Sequence, residues 1–200
     1  LLCSLIILIL VITLYEVEAK AKVRSFKEAY DYLNNIADYA REFTYYDIYL
    51  DHPCKDFSKT DEELRIREIT YNEERFLKLT YKSKALYEDR TVREEIEIDI
   101  SSLLVRILEK LGFKKSLWKK KKGWMFKIKS LEVALVSVSG GVNEREVFLG
   151  DYVEVEKVVV SESDINYARE EVLNFLKQIP STGEIEYRYY TELLEELLNV

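Results

Sequence analysis

Between Tyr15 and Val23 the chain reads YEVEAKAKV, with Glu16, Glu18, Lys20 and Lys22 at every second position. Residues two apart on a strand share a face. Two carboxylates and two ammonium groups therefore line one side, and Val17, Ala19, Ala21 and Val23 line the other. The same arithmetic recurs downstream. Arg65 and Arg67 oppose Leu64 and Ile66, and Lys78, Thr80 and Lys82 oppose Leu77, Leu79 and Tyr81. Arg93, Glu95, Glu97 and Asp99 oppose Ile96, Ile98 and Ile100, and Glu154 and Glu156 oppose Val153 and Val155. Lys119 and Lys121 extend the series from inside a four-lysine run that has no alternation of its own. Two readings follow. In one, these are wet faces of an antiparallel sheet, decorated with cross-strand ion pairs. In the other, the sheet closes into a barrel whose charged faces point inward. A narrow channel holding both signs suits a polyphosphate with its divalent metals, because bases take phosphate oxygens and carboxylates take the ions.

The elements that must position these groups can be read from periodicity. Residues 16–24 alternate as a strand. Ser25 and Glu28 form a capping-box pattern, and helical spacing from Phe26 to Ala40 predicts a helix to about Arg41. TYYDIYL reads as a strand, and residues 51–62 as a loop. ELRIREI and RFLKLTYK flank TYNEE as a hairpin. TVREEIEIDI is a strand, followed by a helix capped at Ser101/Ser102 and stopped by Gly112. Three strands are expected in FKKSLWKKKK, WMFKIK and EVALVSV. Another covers GDYVEVEKVVV, then a helix over residues 164–179 ended by Pro180, and a short final helix in YTELLEELL. Glu-x-Glu before a serine-capped helix occurs three times, at Glu16/Glu18, Glu95/Glu97 and Glu154/Glu156, like a duplicated unit with uneven spacing.

Composition limits the classes. Two hundred residues suggest one domain with a sizeable core. A net charge of −7 does not recruit nucleic acid, so any anion site must be built locally. Two cysteines are too few for a disulfide framework and point to a reducing, cytoplasmic setting. With one histidine, a zinc site is not expected, and a carboxylate-held ion such as magnesium or manganese is. Residues 1–14, LLCSLIILILVITL, are a separate apolar run, shorter than the ~20 residues of a spanning helix. They read as the end of a membrane anchor, as an extra strand or helix, or, the favoured reading, as sequence upstream of a true start near Leu14.

EVEAK, Glu16 to Lys20, resembles the ExExK signature of the CYTH superfamily, which joins class IV adenylate cyclases with thiamine and inorganic triphosphatases. DIYLDHPCKDF, TDEELRIR, LKLTYK, VREEIE, LGF, GDYVEVE and YTELL follow in the family's order, so the resemblance covers residues 15–194. It is closest to the class IV adenylate cyclase branch. The resemblance implies an α+β fold, a closed antiparallel eight-stranded barrel around a triphosphate tunnel with helices outside, spanning residues 15–200. It implies metal binding by Glu16, Glu18, Glu154 and Glu156, with Glu95 and Glu97 as further tunnel acids. Arg65, Arg67, Lys78, Lys82, Arg93, Lys119 and Lys121 would bind substrate phosphate, and Lys20, assigned to the same basic set, would act as a general base if desolvated. Tyr190 matches the tyrosine of the family's C-terminal segment.

The implied reaction is metal-dependent, with Mg2+ or Mn2+. Attack by the ribose 3′-hydroxyl converts ATP to cyclic AMP and pyrophosphate. Attack by water on tripolyphosphate or thiamine triphosphate gives a triphosphatase. A non-catalytic polyphosphate- or nucleotide-binding module is the third reading. Expected partners are a nucleoside triphosphate or inorganic polyphosphate and a second copy in a homodimer, with neither nucleic acid nor membrane. Some positions depart from the family pattern: Lys119-Lys120-Lys121 replaces Lys-x-Arg, Val136 stands for an aspartate, Ser83 for a glycine, and residues 141–148 look inserted. His52 and Cys54 read as loop residues, and Trp118 and Trp124 as packing.

Overall fold

The computed structural model describes residues 13–199; the expectations for residues 1–12 lie outside them. The elements run β1 (Tyr15–Val23), α1 (Phe26–Ile36), β2 (Tyr39–Asp51), α2 (Phe57–Thr60), β3 (Glu63–Tyr71), β4 (Glu74–Lys82) and β5 (Val92–Asp99). There follow α3 (Ser102–Lys110), β6 (Lys114–Ile128), β7 (Leu131–Val142), β8 (Arg145–Val159), α4 (Ile165–Leu176), β9 (Thr182–Glu186) and α5 (Tyr190–Leu198). Neighbouring strands are β5-β4-β3-β2-β6-β7-β8-β1. The ring closes where β5 returns to β1, with Glu16 opposite Arg93 and Val17 opposite Val92. Every pairing in this eight-stranded ring is antiparallel. β9 pairs with the later part of β1, where Lys20 faces Glu186.

The alternation decides which way each face points. Val17, Ala19, Ala21, Val153 and Val155 are buried in one apolar cluster with Ala168, Val172 and Leu176 of α4 and Ala29 and Leu33 of α1. These helices therefore cover the outer wall. Burying each such valine or leucine contributes roughly 1.5–3 kcal/mol, which drives the apolar side outward under the helices and leaves the charged side inward. α5 occupies a different place. Tyr190, Leu193, Leu194 and Leu198 pack with Tyr49, Leu117, Val136, Val138 and Tyr152. Val136, Val138 and Tyr152 share the face of Lys121 and Glu154 through the β6–β7–β8 register, so α5 caps one end of the ring.

Several boundaries differ from expectation. α1 stops at Ile36 because Ala37 is extended (φ −74°, ψ 137°). Asp38 N–H then bonds Lys127 O at 2.9 Å, and Ala40 and Arg41 join β2. The two strands expected around Gly123 are one strand, β6. Gly123 does not break it; a Cβ there would lie 2.0 Å from Leu135 O, so the glycine permits close contact with β7. α2 and β9 were not anticipated. The β3–β4 hairpin is as expected, turning on Asn72 and Glu73, both at positive φ (45° and 73°). Residues 141–148 form the end of the β7–β8 hairpin, which turns after Val142.

Candidate active site

The ring brings most of the expected charged residues into one interior. Lys20, Arg65, Lys82, Arg93, Lys119, Lys121, Glu16 and Glu154 are each at most 8 % exposed, a burial that no wet sheet face produces. The lysine run of β6 acquires an alternation: Lys119 and Lys121 are buried, while Lys120 and Lys122 are exposed. Toward α5 a cavity of about 70 Å³ is lined by Glu16, Glu18, Lys20, Arg65, Lys119 and Tyr190, among others. Toward the other end one of about 150 Å³ is lined by Arg67, Glu95, Glu97, Glu132, Glu154 and Glu156, among others. Glu16, Glu18, Arg65, Lys82 and Lys121 border both, so the two are chambers of one tunnel. Lys78 sits at the rim, bonding Glu97 at 2.7 Å with about a third of its side chain exposed.

The interior ion pairs are specific. Lys82 bridges Glu16 and Glu95, at 2.9 Å to Glu95. Lys121 bonds Glu154 at 2.6 Å. Arg93 reaches no carboxylate among the described residues; it donates to the carbonyls of Ser83 (2.7 Å) and Asp61 (2.9 Å). Lys20 is buried without a carboxylate within ion-pair distance among the described residues. Burial, reinforced by Lys121, lowers its pKa against the pull of Glu18 and Glu154. Burial likewise lowers Lys119 and Lys121. The Tyr190 ring lies 5.0–5.2 Å from the ammonium groups of Lys20, Lys119 and Lys121. Its hydroxyl is buried without a hydrogen-bond partner among the described residues.

The acids divide into two states. Burial and the charges of Glu95 and Glu18 push Glu16 up to about 7. Burial and the neighbouring Glu16, Glu18 and Glu95 hold Glu156 well above the carboxylate range. Burial acts on Glu18 and Glu95 too, but Lys82 and further bases outweigh it and bring each to about 2. Among the described residues no three acidic, His or Cys groups form a ready-made metal cluster. The donor set nevertheless fits a hard divalent ion. Glu154 Oε1 is buried and unpaired among the described residues, and Glu156 is crowded by Glu16, Glu18 and Glu95. An ion there would exchange with the Lys82 and Lys121 ammonium groups, which now occupy Glu16 and Glu154.

Among the described residues, the interior Asp47, Tyr49 and Glu63 escaped the sequence reading, as did Glu132, an exposed acid at the edge of the second chamber. Asp47 shares the inward face of β2 with Tyr45 and Tyr49, a relation that alternation within TYYDIYL could have revealed. His52 lies outside both chambers; its Nδ1 accepts from Cys54 N–H at 3.0 Å, and its ring contacts Phe57 and Phe113. Cys54 is an exposed free thiol. Trp118 stacks on Tyr46 and Trp124 meets Tyr30 edge-on, both as packing. Val136 is fully buried beside α5 and contributes no charge.

A closed antiparallel ring with a charged interior is one architecture, and residues 14–190 match the CYTH domain family model. The chain belongs to the CYTH domain family. It is 29 % identical over 182 residues to the Methanocaldococcus jannaschii protein MJ0240, provisionally named an adenylate cyclase, covering 89 % of this chain and 97 % of that one. The solved PH1819 protein of Pyrococcus horikoshii is 33 % identical, with a TM-score of 0.79 over 91 % of this chain and 99 % of that one. A Hippeastrum protein, HpAC1, a provisionally assigned adenylyl cyclase described as having a dominant triphosphatase activity, shares the fold: TM-score 0.57 at 14 % identity over 92 % and 96 % of the two chains. Among the described residues of this CYTH protein, no helix is long and apolar enough to cross a membrane.

Proposed function

We propose that this CYTH protein is a divalent-metal-dependent enzyme that acts on a triphosphate held in the tunnel, in the manner of the class IV adenylate cyclases it resembles. The observation that supports this reading most is the burial of six bases, Lys20, Arg65, Lys82, Arg93, Lys119 and Lys121, around one narrow cavity. Such a concentration of buried cations is costly without an anion to meet it. A triphosphate supplies several negative charges along a line, and Arg65 and Arg67 add guanidinium donors suited to phosphate oxygens.

Glu16, Glu18, Glu154 and Glu156 are the residues that would hold magnesium or manganese, with Glu95 and Glu97 nearby. When bound, the ion supplies charge neutralisation at the reacting phosphates. The chain's own residues do the rest. Arg65, Arg67, Lys119 and Lys121 hold the phosphate oxygens and fix the chain's axis, and catalysis then rests on positioning and electrostatics. α5 keeps water from one end. In the cyclase reaction the 3′-oxygen bonds to the α-phosphorus and pyrophosphate leaves. Lys20 Nζ, with its depressed pKa, takes the hydroxyl proton.

The second reading is a triphosphatase, in which water attacks a terminal phosphorus and orthophosphate leaves. It draws support from the dominant triphosphatase activity described for the Hippeastrum fold relative. It also draws support from the tunnel, whose named groups all address phosphate rather than a base. Incubation with magnesium or manganese and either ATP or tripolyphosphate separates these readings. Cyclic AMP with pyrophosphate supports the cyclase, and orthophosphate from tripolyphosphate supports the hydrolase. Binding without turnover would reject both in favour of a binding module.

A further inference from the structure

Asp47 is fully buried yet borders neither tunnel chamber. It stands behind the bases, on the inward face of β2 and opposite Arg67 of β3 and Lys119 of β6. Its Oδ1 accepts from Arg67 Nε at 2.6 Å, and its Oδ2 from the Arg67 terminal nitrogen at 2.9 Å. The same Oδ2 lies 3.2 Å from Lys119 Nζ and 3.9 Å from Arg65. Lys119 Nζ also donates to the Tyr49 hydroxyl at 2.7 Å. One carboxylate thus addresses three expected phosphate ligands on two other strands. The fork-to-fork contact uses two Arg67 donor nitrogens and leaves the remaining terminal nitrogen for a ligand.

We infer that Asp47 is a positioning residue for phosphate binding: it holds Arg67 and Lys119 in place in the tunnel before a triphosphate arrives. The inference rests on the triphosphate reading above. Two physical facts carry it. An arginine held through two parallel bonds loses little freedom when a phosphate takes its free edge. A lysine held between the Asp47 carboxylate at 3.2 Å and the Tyr49 hydroxyl at 2.7 Å likewise has its place fixed beforehand. The groups facing Lys119 are Asp47 and Tyr49 from β2, Glu63, Arg65 and Arg67 from β3, Lys121 from its own strand, Glu18 from β1 and Tyr190 from α5. Among them Asp47 is the largest influence keeping its ammonium protonated, against burial and two guanidinium groups.

The test is tripolyphosphate binding to the full chain by calorimetry, with folding checked by circular dichroism. Asp47→Asn should bind about tenfold or more weakly than the parent, because Arg67 and Lys119 lose their shared anchor. In an Arg67→Gln/Lys119→Gln background the same Asp47→Asn change should alter affinity by less than about twofold, because the groups it positions are gone. A purely structural defect would weaken binding equally in both backgrounds, and that result overturns the inference, as does parent-like affinity of Asp47→Asn. If Asp47→Asn does not fold, the pair Asp47→Asn/Arg67→Gln removes both members of the buried pair and is compared with Arg67→Gln alone. Further weakening, through Lys119, is expected; equal affinities contradict the role of Asp47. A parent protein with no affinity for tripolyphosphate at any pH removes the triphosphate reading itself, and this inference with it.

Discussion

Glu16 should make the metal-free protein less stable as pH rises through neutrality. The residue is 8 % exposed, and its carboxyl sits at about 7 rather than 4.5. The sign follows from linkage. Above pH 4.5 the unfolded chain has released this proton and the folded chain keeps it until about 7, so stability falls across that window. The shift of 7 − 4.5 = 2.5, at ~1.36 kcal/mol per unit, gives about 3 kcal/mol lost by pH 8. Glu156, raised by burial and by Glu16, Glu18 and Glu95, acts in the same direction. Glu18 and Glu95 do not interfere, because their shifts to about 2 place their effect below pH 4.5. Glu195, raised by burial and by Glu192, adds to the same trend. Urea unfolding in chelator-treated buffer at pH 5, 6, 7 and 8 measures the slope. Glu16→Gln should flatten it, since no charge is then forced into the cluster, and manganese should flatten it for the parent by supplying positive charge. A Glu16→Gln slope equal to the parent's would refute the reasoning, as would a parent whose stability rises over the window.

Two further outcomes follow from the tunnel. Lys20→Arg keeps the positive charge but cannot give up a proton near neutrality; turnover of the enzyme's substrate should fall at least about a hundredfold while tripolyphosphate affinity is nearly kept. A fully active Lys20→Arg enzyme removes the base role. Leu194→Ala empties a fully buried site in the apolar cap of α5 and should cost about 2–5 kcal/mol in denaturant unfolding. A cost under ~1 kcal/mol would mean that α5 is not held by this contact.

Much of this was legible in the chain, for a definite reason. A ring that buries one face of every strand forces strict alternation, and alternation survives in sequence as Glu16/Glu18/Lys20 and Arg65/Arg67. What was lost depends on neighbours distant in sequence. Gly123 reads as a break until β7 is seen to press its backbone against it. Residues 37–41 keep helical spacing, yet the β6 edge claims their backbone from Asp38 onward. α5 is amphipathic by pattern, and nothing local says that its apolar side closes the end of a barrel rather than covering its wall. Asp47 was hidden by company: one acid among tyrosines and isoleucine looked like a packing strand, although its face already held Tyr45 and Tyr49.

The central claim is that acids and bases from separate strands meet on a single triphosphate. The most direct measurement is a crystal structure of the full chain with tripolyphosphate and manganese, using manganese anomalous scattering. The account predicts phosphate density against Arg65, Arg67, Lys119 and Lys121, with the manganese signal beside Glu16, Glu154 and Glu156. Tripolyphosphate bound on the outer surface, or manganese bound away from these carboxylates, would contradict it.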